Sequence, residues 1–488
     1  MNKKFYLSIW RWHFFAGLYV IPFFLMLCIT GMVMLAAPWI DQWQYGDQLT
    51  HVVQPEPQAK PLLLEQQRGV VSEAYPDAVI TEYVSPVYED QSGLFKVISA
   101  EGHALLVFVN PYTGDILGDF KNADRWYSIS DEIHGTFLMG ESGDVLIEVA
   151  AGLGILLLIT GLYLHWPKTG RAFKVMLLPK FIWPSIWRKA SSGGKRLVWK
   201  DIHASAGFYF SAFLLFFLLT GMSWTGIWGA KIVQPYNSFP AEKSASSWQS
   251  DSEQAPAVKT HADLSTEGLK EVPWNLELTP VPVSKVMDSN THSMTLDEVF
   301  AKAIDLGFKR TQEGAFSQSF RIALPRDDLG VYSIMAVTMN GDINNPLGDR
   351  TVHLDQYSGK VLADIGWKDY NAVAKAMAAG VAFHKGGAGW WNLIFSALVC
   401  VGILLLAVTG VVLWWKRRSA KTESLLNPPP KRPLSARSGG EKGVVILTLV
   451  TGILFPLSGV AMLLFLIVDG FLSNRVSRNE QEFDLESS

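Results

Sequence analysis

Apolar positions cluster into five uninterrupted runs, at roughly 14–37, 145–166, 204–228, 391–415 and 444–468. Each is about the 20 residues that a helix needs to cross a hydrocarbon core of about 30 Å. Two long stretches between them have another rhythm. There apolar residues alternate over short distances, at 94–99 and 104–109 and again at 316–323 and 331–338. Alternation is the period of a half-buried strand. Helical spacing precedes each set, near 60–75 and 295–306. The pattern predicts a membrane α-helical bundle of five spans with two small α+β domains outside it. The segments are a first span over 1–37, an outer domain over 38–142, a second span over 143–166 and a loop over 167–202. A third span (203–229), a second outer domain (230–389), a fourth span (390–415), a loop (416–443), a fifth span (444–468) and a tail (469–488) follow. Within the second outer domain, 237–293 is rich in Ser, Ala, Pro and Thr and reads as an insertion or flexible loop.

Charge orients the spans. Residues 1–12 hold three basic residues and no acid, 167–200 nine and none, and 416–443 eight against two. The outer stretches reverse the balance, with five basic against seventeen acidic residues over 38–144 and fifteen against nineteen over 230–389. Short basic loops stay in the cytoplasm. The reading is a multi-pass protein of a bacterial inner membrane, N-terminus cytoplasmic and C-terminal tail periplasmic. The first run follows Lys3, Lys4 and Arg11 and is too long for a cleaved signal, so it reads as a signal anchor.

Composition narrows the chemistry. The 488 residues are 49% hydrophobic and 18% charged, against about 25% charged in soluble proteins. A net charge of -3 argues against a nucleic-acid partner. Two cysteines, Cys28 and Cys400, cannot make a Cys-based metal site and read as packing residues. No CxxCH is present, which excludes c-type haem, and no GxGxxG or Walker pattern supplies a nucleotide domain.

The chain repeats itself. His13-x3-Gly17-x-Tyr19 opens the first span and His203-x3-Gly207-x-Tyr209 the third, and each reaches a Thr-Gly pair 17 residues on, at Thr30 and Thr220. The second span holds Gly154-Ile155-Leu156-Leu157-Leu158 before Thr160-Gly161, and the fourth holds Gly402-Ile403-Leu404-Leu405-Leu406 before Thr409-Gly410. His134 precedes the former Thr-Gly pair by 26 residues and His384 the latter by 25. In the outer domains, Asn110 to Leu117 aligns with Asp355 to Leu362 as strand–turn–strand, with Gly114 and Gly359 where positive φ is needed.

Of ten histidines, five lie at span ends: His13, His134, His165, His203 and His384. Ionisable groups at membrane depth are expensive and mark function. Taken singly, each is an ordinary interfacial residue. Together, the topology sets His13 and His203 at the inner level and His134 and His384 at the outer. Two imidazoles from facing helices are the axial ligands of b-type haem, so two haems are expected. Zinc is the rival, for which two histidines are too few. Gly17 and Gly207, one turn after their histidines, leave a helix face bare for a porphyrin. Arg11 and Lys200 could neutralise its propionates. Trp126, Trp390 and Trp391 could cover its edges, although tryptophan at span ends is also the ordinary aromatic belt. His165, aligned with Trp414, is a secondary inner ligand. Glu148 reads as an interfacial carboxylate, with proton transfer as the alternative.

The His-x3-Gly-x-Tyr openings, the Tyr-[Thr/Ser]-Gly turns and the Thr-Gly-x-x-Leu-x-Trp ends (Thr160 to Trp166, Thr409 to Trp415) resemble the PepSY-associated transmembrane family over nearly all of 5–418. The resemblance implies PepSY-like outer domains in an iron-regulated inner-membrane protein. It implies similarity to ferric-siderophore reductases, with His13, His134, His203 and His384 as haem ligands. The expected partners are membrane lipid, an electron donor (a quinol or a separate flavoprotein) and a periplasmic ferric chelate such as a siderophore. Fold analogy alone does not set substrate. A non-catalytic peptide- or protease-binding regulator and an iron-chelate permease are the other readings. The repeated histidines weigh against the first, and the scarcity of charge within the spans against the second.

Overall fold

The computed structural model describes residues 3–56, 59–166, 195–237, 259–265, 272–285, 292–313, 316–417, 441–465 and 467. Most of the two basic loops and the whole tail after 468 lie outside the described residues. The chain divides into two compact units. A helical unit takes Met1–Thr30, Ile133–Lys231 and Leu398–Ser488, and a sheet unit takes Gly31–Glu132 and Ile232–Ala397.

The α-helices are α1 (Lys3–Tyr45), α2 (Leu64–Ala74), α3 (Trp126–Thr136), α4 (Glu141–His165), α5 (Lys195–Met222), α6 (Leu296–Asp305), α7 (Ala372–His384), α8 (Trp390–Trp415), α9 (Glu441–Leu454) and α10 (Pro456–Phe465). Among the described residues, α1, α4, α5 and α8 are long and apolar enough to cross a membrane. The chain is therefore a multi-span membrane protein. Two helices overrun their apolar cores: α1 continues to Tyr45, and α5 begins at Lys195 rather than 203. His13 and His203 thus sit turns inside helices rather than at their starts. The fifth apolar run is two helices, α9 and α10, interrupted at Phe455. Pro456 explains the break: it has no N–H for the ladder, and its ring pushes the preceding residue out of the helical region.

The strands are β1 (Val79–Val84), β2 (Gly93–Ile98), β3 (Ala104–Val109), β4 (Ile116–Lys121), β5 (Thr311–Glu313), β6 (Phe316–Gln318), β7 (Arg321–Ala323), β8 (Val331–Ala336), β9 (Arg350–Asp355) and β10 (Val361–Gly366). β5 and β6 form a separate ribbon, and the other eight form one antiparallel sheet, in the order β10-β9-β8-β7-β1-β2-β3-β4. The two outer α+β stretches are thus continuous, not separate. β1 pairs with β7, Tyr83 opposite Ile322. Unpaired, these apolar strands would be two open sheet edges, which invite aggregation. A buried charge cluster lies beside the seam. Glu82 takes Lys96 at 2.8 Å and Arg321 at 3.0 Å, and Arg321 also binds Asp342 at 2.7 Å.

The two helices over this sheet cap each other. Asp297 of α6 accepts from the N–H groups of Leu64 and Glu65, both at 2.9 Å, and Glu65 accepts from that of Leu296 at 2.9 Å. Each carboxylate satisfies orphan donors at the other helix's positive end. The core beneath them, with Val71, Phe95, Val299, Phe320 and Val352, draws on both stretches. The two expected turns are built alike. Asn110 and Asp355 accept from the N–H groups two residues on, and Gly114 and Gly359 have φ of 81° and 65°.

The stretch read as a flexible insertion is partly ordered. Leu264, Val272, Leu276 and Val281 pack with Val331, Met335 and Ile365 in a second core. His261 and His353 of β9 are fully buried and meet Nε2 to Nε2 at 2.9 Å. Sparse apolar residues within the Ser/Pro-rich composition anchor it. Residues 238–258 lie outside the described residues.

Candidate functional site

The helical unit brings His13 and His203 together. His13 of α1 and His203 of α5 have ring centroids 6.3 Å apart and planes at 85°. Two metal–nitrogen bonds of about 2 Å each, plus the half-widths of two rings, add to roughly 6 Å. The spacing fits one metal ion held between them.

Each ring is clasped by a threonine. His13 Nδ1 lies 2.9 Å from Thr160 Oγ1, His203 Nδ1 2.8 Å from Thr409 Oγ1, and His134 Nδ1 2.9 Å from Thr30 Oγ1. The hydroxyl protons are already committed. Thr160 donates to the Leu156 carbonyl at 2.7 Å, Thr409 to Leu405 at 2.7 Å and Thr30 to Met26 at 2.8 Å. Each threonine oxygen therefore faces its imidazole as an acceptor, and Nδ1 must donate. The tautomer is fixed three times over: Nδ1 carries the proton, and Nε2 presents a lone pair. That is the state of a histidine that binds metal, with an outer partner holding its second nitrogen.

The glycine after Thr160 makes room: a Cβ at Gly161 would come within 3.2 Å of His13 Cε1, whereas one at Gly410 would lie 3.7 Å from His203 Cε1, an ordinary contact. The Thr-Gly pairs, legible in sequence only as marks of a repeat, are the seats of the imidazoles. Their signal was the spacing that placed a Thr-Gly pair in every repeated span. Gly17 and Gly207, expected as clearance for a ring, would meet only Leu157 at 3.8 Å and Leu406 at 3.7 Å. These are ordinary contacts, so the chain's own packing does not demand glycine there.

Along α1, His13 and Thr30 are 17 residues apart, about 25 Å at 1.5 Å per residue. His134, held by Thr30, thus lies nearly a hydrocarbon thickness from His13. It belongs to its own helix, α3, ahead of α4. His384 ends α7 in the sheet unit. The turn after it is held by Asn392, which donates to Phe383 at 2.9 Å and accepts from the Ala388 N–H at 3.0 Å. His165, at the end of α4, packs its ring 5.8 Å from Phe208.

Glu148 departs from expectation. It is 1% exposed rather than solvated, and accepts from the N–H groups of Ile227 and Trp228 at 3.2 and 3.1 Å. With Asp144, which accepts from Gly226 at 2.7 Å, it fixes the turn after α5. Cys28 and Cys400 are free thiols, the first buried and the second half-buried. Among the described residues, no three His, Cys, Asp or Glu side chains cluster as a metal site. The inner pair is a two-ligand arrangement, which suits a metal that brings its other ligands with it.

No curated protein matches the chain. The family model of the PepSY-associated TM region matches residues 10–417, which takes in all four long helices, the sheet unit and every histidine discussed, and ends before α9. The chain belongs to that family, and is a PepSY-associated multi-span membrane protein.

Proposed function

We propose that the protein is an inner-membrane b-type haem protein that carries electrons outward and reduces a periplasmic ferric chelate, a siderophore complex, in iron acquisition. The observation that carries this reading is the clasped histidine pair. The His13 and His203 ring centroids are 6.3 Å apart, a spacing that suits one metal between them, and each Nδ1 is held by a threonine hydroxyl, which leaves Nε2 to serve as the ligand atom. An anchor or a permease needs no such pair.

A haem on these imidazoles supplies reversible one-electron exchange. The protein's part is positional. Thr160 and Thr409 orient the rings and raise their basicity through the Nδ1–H bonds. Gly161 lets the His13 ring lie against α4, and Gly17 and Gly207 leave clearance for a flat ligand. For the outer haem, the Thr30 clasp on His134 repeats the chemistry of the inner level, and the sequence repeat supplies His384 as the second ligand. Basic loops on one side and acidic stretches on the other orient the path from cytoplasm to periplasm. Adding one electron to a ferric complex weakens the metal's hold on hard oxygen ligands, which releases the iron. The electron donor is a quinol or a separate flavoprotein, because the sequence carries no nucleotide motif.

The test is the reduced-minus-oxidised visible spectrum of the purified protein, with haem counted as the pyridine haemochrome. Two b-type haems per chain are expected. Absence of b-type bands refutes the reading. One haem per chain removes one level, and His203→Ala against His134→Ala identifies which. Re-oxidation of the reduced protein by a ferric siderophore tests the substrate.

A further inference from the structure

We propose that a cavity between α1, α4 and the α9–α10 segment binds the ring of a lipid-soluble quinol, the donor that the haem reading above, on which this inference rests, requires. The cavity is lined by Trp12, Phe15 and Tyr19 of α1, Leu156 of α4, Thr448 of α9 and Phe465 of α10, and encloses about 200 Å³. An apolar cavity of about 150 Å³ holds a benzene, so this one accepts a substituted six-membered ring. Four of its lining residues are aromatic, and the Phe15 and Phe465 rings lie 4.8 Å apart.

One polar group separates a quinol from a lipid chain. Thr448 is 8% exposed, and its hydroxyl has no partner among the described residues. A buried hydroxyl left unpaired is unfavourable. Tyr19, whose hydroxyl donates to the Leu146 carbonyl at 3.2 Å, makes no hydrogen bond to it. A quinol hydroxyl or quinone carbonyl provides the missing partner, whereas an acyl chain brings none.

Position agrees. The four α1 positions that line the cavity, 12, 15, 16 and 19, form one helix face. On α4, Leu156 lies four residues, about 6 Å, before Thr160, which holds His13. The ring therefore sits beside the inner histidine pair. The far wall comes from α9 and α10, beyond the matched family region. Completing this site is the role we assign to the fifth apolar run.

The experiment is photolabelling of the full-length protein in lipid nanodiscs with an azido-quinone, with labelled peptides mapped by mass spectrometry. Label is expected on peptides around 12–19, 149–156 and 448–465. Short-chain quinone should compete with it, and excess phosphatidylethanolamine should not. Thr448→Val should weaken competition about fivefold, the worth of one hydrogen bond, and Thr448→Ser should restore it. Labelling elsewhere, equal competition by phospholipid, or an unchanged Thr448→Val overturns the site. The readout needs no haem. Specific labelling of a chain without haem bands defeats the functional reading alone, and haem bands without labelling defeat the cavity alone.

Discussion

Replacing Thr409 by valine tests the clasp on His203 most directly. Valine keeps the shape of threonine and removes only the acceptor that sits 2.8 Å from Nδ1. Loss of a partner that orients a metal-binding histidine lowers metal affinity by about 10- to 100-fold, or roughly 1.4–2.7 kcal/mol. At the lower end of that range, about tenfold weaker haem binding is expected. Thr160→Val acts on the other ligand of the same ion and should match it, with the double variant near 100-fold. The assay is transfer of haem from the detergent-solubilised protein to excess apomyoglobin, followed in the Soret band. Thr448→Val, the same chemical change at a threonine that holds neither histidine, is the control and should release haem like the wild type. Affinity within twofold of wild type in both clasp variants, or equal loss in the control, refutes the argument that these threonines fix the ligand tautomer.

Gly161→Leu should displace His13, because even a Cβ there comes within 3.2 Å of the ring; the expected result is loss of the inner haem's spectrum while the outer haem is retained. Arg321→Met leaves Asp342 buried without its cation and should destabilise the sheet unit by about 3–5 kcal/mol, read as a lower melting temperature of the full protein; an unchanged melt contradicts the role of the seam. Burial lowers His261 from 6.5 to about 4, and His353 lies well below its usual value. The folded state takes up no proton there between pH 6.5 and 4 while the unfolded chain does. Stability is therefore complete above pH 6.5 and falls toward pH 4, by about 1.4 kcal/mol per pH unit for each histidine. Thermal melts at pH 7.5 and 5 should show this, and His261→Gln should flatten the difference. Asp297→Ala removes a cap from α2 and should cost about 1 kcal/mol, measured by denaturant unfolding.

Local pattern carried much of this protein. The strand runs at 94–99, 104–109 and 331–338 stand within a residue or two of β2, β3 and β8, because alternation reports burial of one face. The helical patterns near 60–75 and 295–306 are α2 and α6. The apolar runs are α1, α4, α5 and α8, since a helix in lipid must satisfy its own backbone and so declares itself in an uninterrupted sequence. His13 and His203 were legible as a pair from their identical surroundings.

What local pattern lacks is the partner. The joining of β1 to β7 depends on two edges more than 200 residues apart, and no periodicity states which edge meets which. Thr160 and Thr409 looked like repeat marks because a hydroxyl in a helix announces nothing about the ring packed against it. Glu148 reads as an interfacial carboxylate until the turn at Ile227 and Trp228 is seen to place two donors over it. The sequence by itself determined which segments enter the membrane, which form strands and which residue types are available for chemistry, because hydrophobic period and composition are properties of a single segment. The tertiary structure decided the continuous sheet, the tautomer of the histidines and the cavity beside Thr448, because each is a distance between groups that the chain alone keeps far apart.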